Sequence, residues 1–120
     1  MATSPTQLSL KKLRKEGYLV AITEKWNHFC KIRQDLWGII DVLAIKENEI
    51  LAVQTTSASN MSARAKKIAD SENIGMIRKS GIKVHIHGWA KSGRKWECKV
   101  MDVSWIHIKD NTKYMASQLI

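Results

Sequence analysis

One carboxylate stands inside an otherwise apolar run, Trp37-Gly-Ile-Ile-Asp41-Val-Leu-Ala-Ile45. Burying a bare charge is costly, so Asp41 needs a compensating partner. Three would serve: a structural hydrogen bond, a buried ion pair or a divalent cation. The run leads through Lys46-Glu-Asn-Glu49, a turn, into Ile50 to Thr56, a second strand. A four-residue loop sets Ile45 against Ile50, and counting outward then places Asp41 directly opposite Gln54. Opposed residues share a face, with Cβ atoms about 5 Å apart. Thr56, two residues beyond Gln54, projects from the same face.

Other residue types invite chemistry. Ser57, Ser59 and Asn60 precede a basic helical stretch carrying Arg64, Lys66 and Lys67. A helix start with small polar residues suits a phosphate, although ordinary capping explains the same residues. Arg64 and Lys67 lie one turn apart on one face, as phosphate contacts or as a solvated edge. Trp89 stands near Lys91, Arg94 and Lys95, a setting that allows stacking on an unpaired base but equally packing within the protein. His85 and His87 form an HxH pair with no third ligand spaced to help, so a metal there is not expected. The sequence has no nucleophile elbow, Walker loop or dinucleotide glycine pattern.

These residues need elements to hold them. Ser4-Pro5-Thr6-Gln7 reads as an N-cap, a proline at the first helical position and a capping-box glutamine. The helix runs through Leu8 and Leu13 to Gly17, a left-handed stop. A strand follows from Tyr18 to Ile22, continuing to Trp26, then a polar connection over Asn27 to Gln34. Trp37 to Ile45 reads as a strand covered on both faces, and Trp26 and Trp37 are expected to cement the sheet. Asn60 caps a helix with Met61, Ala65, Ile68 and Ala69 on its apolar face. A second helical piece carries Ile74, Met76 and Ile77 and ends at Gly81. Ile82 to Trp89 and Trp96 to Val103 alternate as strands. A three-residue loop, Lys91-Ser92-Gly93, would pair 88 with 96 and 86 with 98, putting both apolar sets on one face. The tail from Asp110 is polar and is expected to pack loosely. The order is α-β-β-β-α-β-β, an α+β single domain over 1–120 around a central mixed sheet flanked by helices.

Charge narrows the partners. The 120 residues hold 20 Lys+Arg against 11 Asp+Glu, a net charge of +9, and ten of the basic residues against three acidic ones fall between Asn60 and Lys99. Such a field draws polyanions, nucleic acid first among them, although an acidic protein partner or a merely solubilising surface would explain the same charge. Apolar runs fall short of the ~20 residues that span a bilayer, so no membrane role is expected. Cys30 and Cys98 lack CxxC spacing and read as reduced thiols in a cytoplasmic protein; a zinc ribbon is excluded for want of ligands.

The order helix, strand, strand with Asp, turn, motif strand, helix resembles the PD-(D/E)XK nuclease superfamily. The likeness is carried by Leu10-Lys-Lys-Leu-Arg-Lys-Glu-Gly17-Tyr, Ile40-Asp41 and Leu51-Ala-Val-Gln54-Thr55-Thr56. Glu24-Lys-Trp-Asn27, Arg33-Gln-Asp-Leu36 and Val53-Gln-Thr-Thr56 are similar to patterns in small phage-encoded nuclease-like proteins. The likeness spans roughly residues 4 to 105, and the first half is closest in pattern to the Holliday-junction resolvases and VRR-type nucleases. It implies a restriction-endonuclease-like core (αβββαβ), a Mg²⁺ or Mn²⁺ cofactor and a metal-dependent DNA endonuclease acting on branched DNA as a homodimer. It implies catalytic positions at Asp41, Gln54 and Thr56. Gln54 and Thr56 depart from the Glu and Lys of the family motif. An amide oxygen still ligates Mg²⁺ without bringing charge, and Thr56 lacks a cation. The resolvases carry a further ligand on the first helix, where this chain offers Thr6, Gln7 and Ser9. Glu24, at the end of the first strand, is the better metal ligand, within reach if that strand pairs with 37–45; it also reads as an exposed strand-end charge. Asp35 reads as a cap or a group supporting the ligands. Lys25 and Lys67 are the cations placed to stand in for the missing lysine. Ser57, Asn60, Arg64, Lys67, Lys91 and Arg94 are the expected DNA contacts. The rival expectation is a non-catalytic DNA-binding protein that retains the fold, and a third is a nuclease-fold protein binding an acidic partner.

Overall fold

The computed structural model describes residues 3–107 and 113–115. Helix α1 (Pro5–Lys15) begins as its sequence requires: Ser4 Oγ accepts the Gln7 amide at 3.2 Å, with Pro5 in the first turn. It stops at Gly17, whose φ of +96° lies in the left-handed region. The Tyr18 amide reaches back to the Leu13 carbonyl and the Gly17 amide to that of Arg14, the Schellman pattern. The chain then forms β1 (Leu19–Ile22), β2 (Lys25–Asn27), β3 (Ile32–Gln34), β4 (Val42–Lys46) and β5 (Glu49–Ser57). A 3₁₀ turn at Ala58–Asn60 leads into α2 (Met61–Ala69) and α3 (Ile74–Lys79), followed by β6 (Lys83–Ser92), β7 (Lys95–Asp102), β8 (Trp105–His107) and β9 (Lys113–Met115).

Five strands make one mixed sheet in the order β1-β4-β5-β6-β7. β1, β4 and β5 are an antiparallel meander, β5 and β6 are parallel across the α2–α3 crossover, and β7 returns antiparallel. The fold is therefore α+β, a mixed sheet with helices on both faces. Period-two alternation decides which side chains meet which helix. Val42, Ala44, Leu51 and Val53 face α1 and pack on Leu10 and Leu13. Ala52, Val84 and Ile86 face the other way, against Met61, Ile68, Ile74 and Ile77. β5 is central, so both its faces are covered, and this explains its unbroken apolar run. Each large aliphatic side chain withdrawn here stabilises the fold by about 1.5–3 kcal/mol. Gly88 on β6 passes beneath the 3₁₀ turn, where a Cβ would strike Met61 Sδ and lie 3.1 Å from the Ala58 Cα.

Five expectations need correction. The first strand does not continue to Trp26: β1 ends at Ile22, and Trp26 lies in β2. The strand expected over Trp37 to Ile45 starts only at Val42: Trp37 and Gly38 hold positive φ (+52° and +77°), and a bridge between Leu36 and Ile40 closes a tight turn. Trp26 and Trp37 do not cement the sheet; they are 52% and 50% exposed. The connection over Asn27 to Gln34 is half of a separate hairpin, β2 with β3. The β6–β7 loop has two residues, Gly93 and Arg94, with pairs Ser92↔Lys95, Gly88↔Lys99 and Ile86↔Met101. Gly93, at φ +61°, supplies the first position of a two-residue hairpin turn, so the strands stay paired further than a three-residue loop permits. The shift of register moves Trp96, Cys98 and Val100 to the α1 side, opposite Lys91, Trp89 and His87, and leaves Met101 and Val103 on the Ile86 side. The tail from Asp110 lies outside the described residues apart from β9, so its packing does too. Among the described residues no helix is long and apolar enough to cross a membrane.

Candidate metal centre

The β4–β5 hairpin holds the register expected of it. Ile45 pairs with Ile50 and Val42 with Val53, and pairing extends one step further to Lys46 and Glu49. Asp41 therefore stands opposite Gln54, where β4 peels away from the sheet. Its backbone is pinned from both sides, the amide donating to the Val53 carbonyl (2.9 Å) and the carbonyl accepting from the Thr23 amide (2.8 Å). Its Oδ2 accepts from the Thr55 amide (2.8 Å), the Thr55 hydroxyl (3.1 Å) and Gln54 Nε2 (2.6 Å). The carboxylate thus takes an amide of β5 that the departing strand no longer meets.

Two more carboxylates converge on this point. β1 pairs with β4, Ile22 opposite Val42, and this delivers Glu24 two residues further on. Asp35 arrives from the far leg of the β2–β3 hairpin. Single oxygens of Glu24, Asp35 and Asp41 lie within 4.8 Å of one another. Asp35 Oδ2 accepts from Gln54 Nε2 at 3.4 Å and sits 3.5 Å from the Lys67 ammonium. The Thr6 hydroxyl, in the first turn of α1, lies 2.9 Å from that of Thr55 and 3.4 Å from Glu24 Oε1; with the Thr55 proton given to Asp41, the single Thr6 proton serves one of the two. Asp41 is only 4% exposed, and its carboxyl is pushed up to about 7, first by burial and then by the neighbouring Asp35, against the pull of the Thr55 amide.

Gln54 is 1% exposed, and its Nε2 lies between two carboxylates while its Oε1 has no hydrogen-bond partner. An orphaned buried carbonyl oxygen costs about 1–3 kcal/mol and asks for a ligand. Turned over, the Gln54 amide would set its carbonyl beside three carboxylates in place of its nitrogen, a hard-oxygen donor set, so these residues fit a divalent cation.

The centre opens into a cavity of about 400 Å³ lined by Thr6, Glu24, Asp35, Asp41, Gln54, Thr56, Ser57, Arg64 and Lys67, among others. Acidic groups and two cations from α2 line it together, the Lys67 ammonium lying 3.5 Å from Asp35. Of the residues expected at a site, Glu24, Asp41, Gln54 and Thr56 come together here, with Ser57, Arg64 and Lys67 at the rim. Asp35 stands nearer the centre than a supporting cap would. Asn60 lies at the N-cap position of α2 without a side-chain cap hydrogen bond and is outside the cavity lining. Lys91 and Arg94 belong to the β6–β7 hairpin and Lys25 to β2; they too are outside the lining. His87 is spent elsewhere, its Nδ1 2.8 Å from the Ser9 hydroxyl, which also accepts from Trp89 Nε1 (2.9 Å). Trp89 is thereby a packing residue. Sequence reasoning gave no role to Thr55 and named Thr6 only as a residue standing where the resolvases carry a helix ligand; both contact the carboxylates.

Models of known protein families give no match to this chain, and curated protein sequences give none. Its chemistry therefore has to be argued from its own residues.

Proposed function

We propose that the protein is a metal-dependent endonuclease-like enzyme that hydrolyses DNA phosphodiesters in the cavity beside Asp41. One observation carries the reading: three carboxylates and Gln54, whose buried amide oxygen has no partner among the described residues, line one cavity with Arg64 and Lys67. Asp41, Glu24, Asp35 and Gln54 would hold the divalent cation, Mg²⁺ or Mn²⁺. Such an ion, when bound, offsets charge on the scissile phosphate and makes water a stronger nucleophile. Arg64 and Lys67, which line the same cavity, hold the phosphate backbone, Arg offering a planar fork and Lys a mobile point charge. Thr55 fixes the Asp41 carboxylate, and Thr6 orients Glu24. Thr56, buried at the cavity wall, orients a water or a phosphate oxygen. The element order supports the same reading: helix, antiparallel meander, helix, parallel strand is the order that the PD-(D/E)XK resemblance leads one to expect. A restriction-endonuclease-like core, a branched substrate and a homodimer follow from that resemblance and belong to the proposal.

The second reading, a DNA-binding protein that retains the fold without catalysis, has its own observation. Gln54 Nε2 bridges Asp41 and Asp35 and so holds the acidic cluster together without a cation. Labelled junction and linear DNA incubated with Mg²⁺, Mn²⁺ or EDTA separate the two. Cleavage that needs the metal and disappears in Asp41→Ala is the expected result. Salt-sensitive binding without cleavage, indifferent to Asp41→Ala, supports the second reading.

A further inference from the structure

The two feet of the β2–β3 hairpin are Glu24 and Asp35, one residue before Lys25 and one after Gln34. The hairpin is therefore an arm that rises directly from the rim of the acidic cavity. Its residues 25–34 include Lys25, Lys31, Arg33 and His28 and no acid. The arm is thus cationic where its base is anionic, a distribution suited to a polyanion whose reacting phosphate lies at the base.

The tip is built to hold an aromatic ring in solvent. Asn27 Oδ1 accepts from the amides of Phe29 (2.9 Å) and Cys30 (3.0 Å), and the Asn27 carbonyl accepts from the Lys31 amide (2.7 Å). Asn27 Nδ2 donates across the arm to Gln34 Oε1 at 3.0 Å, and Lys31 closes the turn at φ +55°. With this turn fixed, Phe29 is 98% exposed instead of folding back on the sheet. Trp26, 52% exposed, stands in register opposite Arg33. An exposed aromatic surface among cations is the composition that stacks on unpaired bases.

We propose that this arm reads unpaired DNA: Phe29, at its tip, stacks on a base freed from the duplex near the phosphate held in the cavity. At ~3.3 Å per residue the tip lies on the order of 13 Å from the carboxylates. That is about four nucleotides of a stacked strand at 3.4 Å each. The arm thereby selects branched or single-stranded substrates over continuous duplex. This rests on the DNA reading of the cavity, but its test does not depend on cleavage.

The test measures fluorescence anisotropy of a short labelled oligothymidine and of a blunt duplex, in EDTA at low salt, with the full chain. Phe29→Ala is expected to weaken oligothymidine binding about tenfold, leave the duplex within twofold, and be rescued by Phe29→Trp. Because Phe29 has no packing to lose, the variant keeps the wild-type melting temperature. Equal losses on both DNAs, or none on either, overturn the proposal while wild-type binding and Asp41-dependent cleavage leave the DNA reading standing. If wild type binds neither DNA, both fall. If sedimentation shows that Phe29→Ala dissociates a dimer and oligothymidine binding is unchanged, the tip docks a second copy of the chain and the proposal is wrong.

Discussion

Two buried polar clusters lie along this sheet, and they are satisfied to different degrees. In the first, Ser9, His87 and Trp89 close on one another: the indole N–H donates to the Ser9 hydroxyl, which in turn can donate to His87 Nδ1. That arrangement holds the imidazole neutral, and burial pushes its pKa down to about 4. The second cluster gathers Asp41, Asp35 and Glu24 with one bridging amide nitrogen and leaves the amide oxygen without a partner. A closed network rigidifies the fold, whereas an open one stores a demand that a ligand can meet. The contrast teaches where this chain spends stability: α1 is fastened at Ser9 and left receptive one turn earlier, at Thr6.

The largest effect expected from that contrast is at Asp41. Asp41→Ala should lower metal-dependent cleavage about 100-fold or more, since even groups that only orient a ligand are worth 10–100-fold. Asp41→Asn removes a buried charge while keeping an acceptor for Thr55. It should raise the melting temperature in EDTA at pH 8 and abolish the further rise that Mn²⁺ gives wild type. A fall in the metal-free melting temperature would mean the carboxylate is structural and the clusters do not differ.

Next comes Ser9→Ala. It leaves a buried indole N–H and a buried imidazole nitrogen unpaired and should cost about 2–4 kcal/mol in urea unfolding. Its Mn²⁺ affinity at temperatures where it is folded should match wild type. A variant that loses metal binding while folded would couple the two clusters and break the distinction between them.

The last comparison is pH dependence, in which the two clusters have opposite signs. Asp41 titrates near 7 when folded, above the ~3.9 of an unfolded aspartate. Its contribution is complete below about pH 4 and lost as pH rises to about 7. His87 titrates near 4 when folded, below the ~6.5 of an unfolded histidine. Its contribution is complete above about pH 6.5 and lost as pH falls to about 4. Urea unfolding of metal-free protein across this range should show Asp41→Asn flattening the loss toward high pH and His87→Gln the loss toward low pH. An unchanged profile in both variants would remove the physical basis of the comparison.

The sequence made one cluster legible and hid the other. Asp41 against Gln54 follows from an even strand period and a turn that fixes the count, both local properties. The helix cap at Ser4 and its stop at Gly17 are local in the same sense. Glu24 was reachable because the first strand pairs with the strand that follows Asp41, across the intervening β2–β3 hairpin. The approach of Asp35 to Asp41 was not legible because its position depends on β2 and β3, whose residues between Asn27 and Gln34 lack an apolar alternation. The β6–β7 register was lost because Gly93 suits more than one hairpin turn and an odd shift reverses every face. Ser9 with His87 pairs residues 78 positions apart, and no local pattern announces such a contact.

The central claim is that the Asp41 cavity holds a divalent cation. Anomalous diffraction from crystals grown with Mn²⁺ tests it most directly. The expected result is a manganese peak at about 2.0–2.3 Å from an Asp41 oxygen and from Gln54 Oε1, its amide turned over, with Glu24 or Asp35 completing the set. A saturated crystal with no peak there, and Gln54 Nε2 still lying between Asp41 and Asp35, would contradict it.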